Sequence, residues 1–401
     1  MKYVVLLGDG MADDPQEERG GKSPIEIADT PSLDLIASRG KMGLARTVPA
    51  DMEPGSDVAN MAILGYDPKK YYSGRASIEA AALGIELGPD EVAIRTNLVT
   101  LAGEGAETTM DDYSGSHPED HEQAAIVDML NSELGDDNTR FVPGVSFRNI
   151  CVMKGLEGTP DLMPPHDHAG ALISSIAPSG PGSERIAAIQ ERARELLADH
   201  PVNRARLEKG EPPINGVWLW GLGRPPSMPS FRERHGRTGA VVTGVDLVRG
   251  LANVLGLRIM DVPGATGYID TDFEGKAEAV IKALSDVDFV FLHVEAPDEC
   301  GHEGDLDLKV KAIEDFDRRA VKNVLEGLTR FDEYRVLLMP DHETPVKERG
   351  HRGGPVPYAV ADKSALESAG GESRPYSERE AAKQGGEPLA AFLLLESLLF
   401  S

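Results

Sequence analysis

Acidic and imidazole side chains follow short apolar runs at several separate places in this chain. Asp9 follows the run Val4 to Leu7, inside Gly8-Asp9-Gly10. Glu295-Ala296-Pro297-Asp298 follows Phe289 to Val294, and His302 stands four residues beyond Asp298. Asp341 and His342 come after Val336 to Met339 and Pro340, and His351 lies nine residues further on in a Gly- and Pro-rich loop. Each feature alone has an ordinary reading: an Asp after a strand is commonly a turn or cap residue, and an Asp–His pair at i, i+4 decorates many helix surfaces. Together they offer oxygen and nitrogen donors that suit zinc, manganese or iron rather than a thiolate site. The donors divide into two groups, as two-metal phosphoryl-transfer chemistry requires.

Ser56 is the candidate nucleophile, in Pro54-Gly55-Ser56-Asp57-Val58-Ala59-Asn60. An apolar helical run follows it, which places Ser56 at a helix N-terminus where backbone N–H groups and the dipole favour an anion. A plain N-cap serine has the same local signature. What separates the two is activation, because a metal held by Asp9 and Asp341 would lower the pKa of the hydroxyl.

These residues need elements to position them. The runs Tyr3 to Leu7, Gly216 to Trp220, Arg258 to Val262, Phe289 to Val294 and Arg335 to Met339 read as buried parallel strands. They alternate with helical patterns, which predicts an α/β sheet. Ligands bind outside the carboxyl ends of such strands, so the donor segments gather at one edge. Thr30-Pro31 opens a helix with Thr as cap and Pro at its first position; Leu33, Ile36 and Ala37 form its buried stripe, and Gly40 ends it. Residues 184–198 and 305–328 show similar periodicity, and Leu389 to Phe400 reads equally as helix or strand. Between 90 and 175 the pattern changes: the strand-like runs Val92 to Leu101 and Ser146 to Met153 flank a polar helix from Pro118 to Leu134. This predicts an α+β domain, 90–175, inserted into a domain made of 1–89 and 176–401. Ser364 to Pro388 is polar and Gly-rich and reads as a surface excursion.

Composition narrows the partners. The 401 residues carry a formal net charge of −26, which disfavours nucleic acid and anionic membranes. An anionic small substrate stays compatible, because bound divalent ions invert the sign locally. Cys151 and Cys300 are the only two cysteines, so a disulfide framework is not expected and the usage fits a reducing cytoplasm. The apolar run before Asp9 is too short for an export signal, and no run approaches the ~20 residues of a membrane span.

The set Gly8-Asp9-Gly10-Met11, Gly55-Ser56-Asp57, Asp298 with His302, Asp341-His342 and His351 resembles the alkaline phosphatase superfamily. Further segments are Thr30-Pro31-Ser32-Leu33-Asp34, Leu64-Gly65-Tyr66-Asp67-Pro68, Trp218-Leu219-Trp220-Gly221, Gly264-Ala265-Thr266-Gly267-Tyr268 and His293-Val294-Glu295-Ala296-Pro297-Asp298-Glu299. With these, nearly the whole chain resembles the archaeal-type cofactor-independent phosphoglycerate mutases. The resemblance implies a three-layer α/β sandwich with a mostly parallel central sheet and an inserted α+β cap. It implies two divalent metal ions (manganese, zinc or similar) and no 2,3-bisphosphoglycerate. Asp298, His302 and His351 would hold one ion, and Asp9, Asp341 and His342 with Ser56 the other. The implied reaction interconverts 3-phosphoglycerate and 2-phosphoglycerate through a phosphoserine on Ser56.

A closing cap facing the metals would retain the glycerate and exclude water. Arg95 and Arg148, on the strand-like runs of the insertion, and Arg75, in Ser73-Gly74-Arg75, are the candidate carboxylate anchors, and Asp112 is a candidate base. The chain departs from the family pattern at Cys300 (usually a small alanine), Asn149 (histidine expected), Thr96 (cysteine expected) and Ala76-Ser77-Ile78 (a more proline-rich stretch). These departures bear on the acceptor pocket. A phosphatase, or a phosphotransferase with another acceptor such as homoserine, would share the Ser56 step. A catalytically silent binding homologue has no reason to keep every ligand and the nucleophile. The oligomeric state stays open.

Overall fold

In the computed structural model, which describes residues 1–368 and 373–401, the strands in chain order are β1 (Lys2–Gly8), β2 (Lys41–Arg46), β3 (Glu91–Ala102), β4 (Thr109–Asp112), β5 (Thr139–Pro143), β6 (Arg148–Lys154), β7 (Gly216–Gly223), β8 (Gly239–Val242), β9 (Arg258–Met260), β10 (Phe289–Val294), β11 (Tyr334–Met339), β12 (Val356–Asp362) and β13 (Leu389–Ala390). The chain divides into two compact units, Met1–Tyr72 with Met228–Ser401, and Ser73–Ser227.

Among the described residues, the first unit holds an eight-stranded sheet in the order β13-β2-β12-β11-β1-β10-β8-β9. The strands from β11 to β9 run parallel, and β12 is antiparallel to both of its neighbours. Successive residues of β1, β10 and β11 are buried without alternation, as a strand covered on both faces requires. Val4, Leu6, Val290, Leu292, Val336 and Leu338 join one core with the helices Pro31–Arg39, Phe273–Leu284 and Lys322–Leu328. Val5, Leu7, Phe289 and Phe291, pointing the other way, are equally buried. The architecture is the expected α/β fold with a central, mostly parallel sheet. β1 lies between β11 and β10, with Leu7 opposite Met339 and Gly8 opposite Val294. The strands preceding Asp9, Asp298 and Asp341 are therefore neighbours that end at one level.

The second unit is an antiparallel sheet, β4-β3-β6-β5, with β7 paired to β3. Its extent corrects the expected boundaries of 90–175 on both sides. Gly216 to Trp220 is not a strand of the parallel sheet: β7 runs antiparallel along β3 from Val99 to Ala93. An apolar run buried on both faces looks the same in either setting. Pairing with β3 draws in everything up to Ser227, including the helices Ser183–Ala198 and Pro201–Lys209. On the other side, the helix Arg75–Ala82 packs on β3 and β7. Gly74 makes this possible, with φ +105° and no room for a Cβ against the Leu222 carbonyl.

Local expectations fared unevenly. The helix Pro31–Arg39 has its predicted stripe and its terminal Gly40, but Thr30 makes no side-chain capping bond. The cap comes from Asp317, whose Oδ1 accepts the N–H groups of Ser32 and Leu33, both at 2.8 Å. Asp317 sits in a π-helical segment, Phe316–Val321, that interrupts the helix expected over 305–328. Leu389 onward is both strand and helix: β13 is followed by a 3-10 turn and the π-helical Leu395–Leu399. The segment Ser364 to Pro388 is more than a surface excursion. Tyr376 is 1 % exposed, and Glu378 accepts the Ser23 hydroxyl at 2.7 Å. Residues 369–372 of that segment lie outside the described residues. Among the described residues no helix is long and apolar enough to cross a membrane.

Burial pushes the Asp317 carboxyl up to about 6, against the opposing pull of the Leu33 and Ser32 N–H groups. Asp317→Ala should therefore lose about 1–2 kcal/mol in urea unfolding, the range of a lost helix cap. Asp317→Asn, which keeps an acceptor and drops the charge, should lose less. Unchanged stability in the alanine variant would reject the capping role.

Candidate active site

Ser56 opens the helix Ser56–Ile63 after the extended N-cap Gly55. The helix is buried along its whole length, so its first turn is fixed. Ser56 Oγ lies 3.1 Å from His342 Nε2. One turn on, Asn60 Nδ2 donates to the Ser56 carbonyl at 2.8 Å and to Asp341 Oδ2 at 3.0 Å. Asp341 Oδ1 accepts the backbone N–H groups of Gly10 at 3.1 Å and His342 at 2.9 Å. Asn60 thus ties the serine turn to the loop after β11, and the Gly10 amide ties in the loop after β1.

Asp9, Asp341 and His342 are fully buried, with one ligand atom from each lying within 4.8 Å of the others. Asp9 Oδ2 is bound by His293 Nε2 at 2.7 Å, while Asp9 Oδ1 is buried with no hydrogen-bond partner and faces His342 Nε2 at 3.5 Å. Burial, and then the charges of Asp341, Asp298 and Glu295, raise the Asp9 carboxyl well above its ordinary value. An orphaned oxygen among like charges fits a divalent cation, which would offset the repulsion that raises the carboxyl.

A second cluster adjoins the first, since the His342 and His351 rings are 4.2 Å apart. The helix Ala296–Glu303 presents Asp298 and His302 from one face. His302 Nε2 lies 3.3 Å from Asp298 Oδ2 and 2.9 Å from His351 Nε2, and His351 Nε2 is 3.6 Å from Asp298 Oδ1. His302 Nδ1 donates to the Arg349 carbonyl at 3.0 Å, which turns Nε2 toward the carboxylate. Two imidazole nitrogens this close require a proton or a metal between them. Burial alone would raise Asp298, but hydrogen bonds with His302 and His351 hold it well below the usual carboxylate range. All seven residues expected at the metal site, Asp9, Ser56, Asp298, His302, Asp341, His342 and His351, therefore converge.

Several supporting residues had gone unread. His293 is the one polar residue in the apolar run of β10, and that interruption was the available signal. Burial lowers it to about 4, so it is neutral. Its Nδ1 faces Thr243 Oγ1 at 3.2 Å, and that oxygen already accepts the Val245 N–H. With the Nε2–H of the neutral ring given to the Asp9 carboxylate, Nδ1 is an acceptor, and the Thr243 hydroxyl donates to it. Beneath the loops, the fully buried Lys309 pairs with Asp13 at 2.9 Å and donates to the Thr344 carbonyl at 2.7 Å. Cys300, where the family usually has a small alanine, is buried in the core, and burial pushes it up to about 12.

The second unit gathers some of the remaining candidates. Arg75 Nε and Arg95 Nε both pair with Glu79, at 2.9 and 2.8 Å. The Arg95 guanidinium lies over Trp220, 3.8 Å from the ring centroid, and Trp220 Nε1 donates to Asn97. Burial brings Arg95 down to about 10, still charged at neutral pH. His166 also packs on Trp220, at 5.0 Å between centroids. Arg148 stands over Phe147 instead. Asp112 holds a turn, accepting N–H and hydroxyl groups from Ser114 and Ser116. Burial opposes its charge, but these bonds keep its pKa below the ordinary value, which suits a turn anchor and not a base. Asn149 is buried and satisfied by Gln123 and the Phe147 carbonyl. Thr96 is buried too, its hydroxyl on the Ile94 carbonyl.

Comparison with known proteins adds to this geometry. The family model described as 2,3-bisphosphoglycerate-independent phosphoglycerate mutase matches residues 37–203. A probable 2,3-bisphosphoglycerate-independent phosphoglycerate mutase of Geobacter sulfurreducens is 46% identical over 399 residues, covering 100% of both chains. The enzyme of that name from Methanothrix thermoacetophila is 51% identical over 362 residues, 90% of this chain and 91% of its own. Among solved structures, a protein of Pyrococcus horikoshii matches with TM-score 0.79 and 28% identity over 98% of this chain and 95% of its own. The cofactor-independent phosphoglycerate mutase of Thermoplasma acidophilum matches with TM-score 0.67 and 25% identity over 99% of both.

The hydrogen bond with Asp298, working against burial, raises His302 to about 9. A metal needs the neutral imidazole, so cation binding must displace a proton at any pH below that value. Manganese affinity of the metal-free protein should accordingly rise with pH from 6 to 8.5, by up to about tenfold per unit for one displaced proton. Calorimetric titration at several pH values checks this, and a flat profile would contradict the arrangement.

Proposed function

The chain belongs to the 2,3-bisphosphoglycerate-independent phosphoglycerate mutases, a family of isomerases, and from that premise we propose that it interconverts 3-phosphoglycerate and 2-phosphoglycerate by way of a phosphoryl group carried on Ser56. The observation that carries the reading is the position of Ser56 Oγ at the start of a buried helix, 3.1 Å from His342 Nε2. The helix dipole favours the incoming phosphoryl group there.

Asp298, His302 and His351 would hold one divalent ion, and Asp9, Asp341 and His342 with Ser56 the other. Bound, the pair supplies the positive charge that lowers the serine pKa and offsets charge on the transferring phosphoryl group. In the first half-reaction Ser56 Oγ gives up its proton and bonds to phosphorus in line, the bond to the substrate's 3-oxygen breaks, and that oxygen takes up a proton. In the second, the 2-hydroxyl of the retained glycerate loses its proton and bonds to the same phosphorus, and Ser56 Oγ leaves and takes its proton back. Phosphorus and protons are both conserved over the cycle, so hydrolysis is the side reaction to suppress.

Retention requires an anchor for the glycerate carboxylate. Arg75 and Arg95 both pair with Glu79, which gathers two guanidinium groups at one place. Arg95 is also held flat on Trp220, which keeps its fork ordered before a ligand arrives. We assign these two arginines the leading role and Arg148 a lesser one.

The test supplies metal-loaded protein with 3-phosphoglycerate, without 2,3-bisphosphoglycerate, and follows 2-phosphoglycerate and free phosphate together. The expected result is 2-phosphoglycerate with little phosphate. Chelation should abolish it and a divalent ion restore it. Ser56→Ala should lose at least about a thousandfold in kcat at unchanged melting temperature. Phosphate release alone would move the assignment to a phosphatase, and phosphoryl transfer only to an added alcohol such as homoserine would move it to a phosphotransferase.

A further inference from the structure

The two ligand clusters meet at a side chain outside both. Thr344 is fully buried, two residues after His342. Its Oγ1 donates to Asp298 Oδ1, and the same oxygen lies 3.2 Å from His342 Nδ1. Asp298 lies in one cluster, and His342 is common to both, with a ligand atom within 4.8 Å of those of Asp298 and His351 as well as of Asp9 and Asp341. The backbone of Thr344 is pinned as well: its N–H donates to the Ala12 carbonyl at 3.2 Å and its carbonyl accepts Lys309 Nζ at 2.7 Å. Its surroundings leave no slack. A Cβ on Gly10, which has φ +59°, would lie 2.6 Å from Thr344 Oγ1, and a Cβ on Gly301 would lie 2.8 Å from its methyl carbon. Such contacts hold the hydroxyl in one rotamer.

Proton counting gives the arrangement a direction. A hydroxyl has one proton, and an ionised carboxylate has none to offer, so the bond to Asp298 uses the Thr344 proton. Toward His342 the oxygen can then only accept, which places a proton on Nδ1. The Nε2 lone pair is left facing Ser56 Oγ, Asp9 and Asp341. The opposite tautomer would put a proton where a metal must bind.

We propose that Thr344 is a positioning residue that sets the His342 tautomer and the Asp298 carboxylate through one hydroxyl, and so couples the two metal positions. It rests on the metal-binding reading of the two clusters given above.

The experiment compares wild type, Thr344→Val and Thr344→Ser as full-length, metal-free proteins. Manganese is titrated in and the electron paramagnetic resonance of the free ion is followed, which counts bound ions and gives their affinities. Wild type should bind two. Thr344→Val, close in shape but without the hydroxyl, should lose about 10–100-fold at both positions, the usual effect of removing a group that orients a ligand. Thr344→Ser should bind as wild type does. Melting temperature of the metal-free proteins should not track this order. A valine variant with wild-type affinity at either position, or a serine variant as weak as the valine, overturns the proposal while leaving the metal sites standing. A wild type that binds no manganese overturns both. Should the valine variant fail to fold, long-range imidazole nitrogen spectra of the metal-free wild type decide: His342 protonated on Nδ1 supports the proposal, and protonation on Nε2 alone overturns it.

Discussion

Carboxylates withdrawn from water within reach of one another are the condition on which the first unit depends. Asp9 and Asp341 place oxygens within 4.8 Å, where two full charges repel by roughly 3 kcal/mol at an effective dielectric of about 20. Asp298 adds a third charge, and Glu295, pushed up to about 8 by burial and by Asp298, a partial fourth. The fold answers with fixed donors. The Gly10 and His342 amides and Asn60 take Asp341, His293 takes Asp9, and Thr344 takes Asp298. Each of these restrains a carboxylate without neutralising it. The remaining deficit of positive charge is what a divalent ion supplies. The site is therefore rigid on the protein side and incomplete in charge, a combination that favours binding a cation over rearranging around one.

The sheet explains how such a cluster is held. Parallel strands β11, β1 and β10 end together, and their apolar residues are packed on both faces. No ligand loop can shift without moving a strand end that its neighbours fix. The second unit is built differently, from antiparallel pairs around β3, and its charged cluster of Arg75, Glu79 and Arg95 is ordered by an aromatic face. The buried carboxylates and the arginine cluster thus sit on sheets of different construction.

Much of the ligand set was legible because strands announce themselves by unbroken apolar runs and ligands follow them directly. Asp9, Asp298 and Asp341 were found that way, and Ser56 by the apolar helix behind it. The misreadings share a cause. Gly216 to Trp220 carries the same buried pattern in an antiparallel sheet as in a parallel one, so pattern alone could not assign it. Thr30 has the chemistry of a cap, but Asp317, far along the chain, outcompetes it. Asp112, a candidate base by type, is engaged by Ser114 and Ser116 in a turn that its neighbours alone did not announce. His293, Asn60 and Thr344 orient the ligands only through tertiary contacts, which leave no local periodicity. Asn149 and Cys300 differ from the family pattern at positions that turn out to be buried, where a residue type reports packing and not reactivity.

The pairing of β1 has a consequence for how the molecule comes into being. Lys2 lies opposite Tyr334, and Tyr3 opposite Phe289. A chain synthesised from its N-terminus carries its central strand unpaired while nearly three hundred further residues are made. All the strands of the second unit, by contrast, fall between Glu91 and Gly223 and can close among themselves well before then. The exposed apolar strand must meanwhile avoid other partners, a hazard of non-local β pairing. The candidate ligands run from Asp9 to His351, so every strand of the second unit is synthesised before that set is complete.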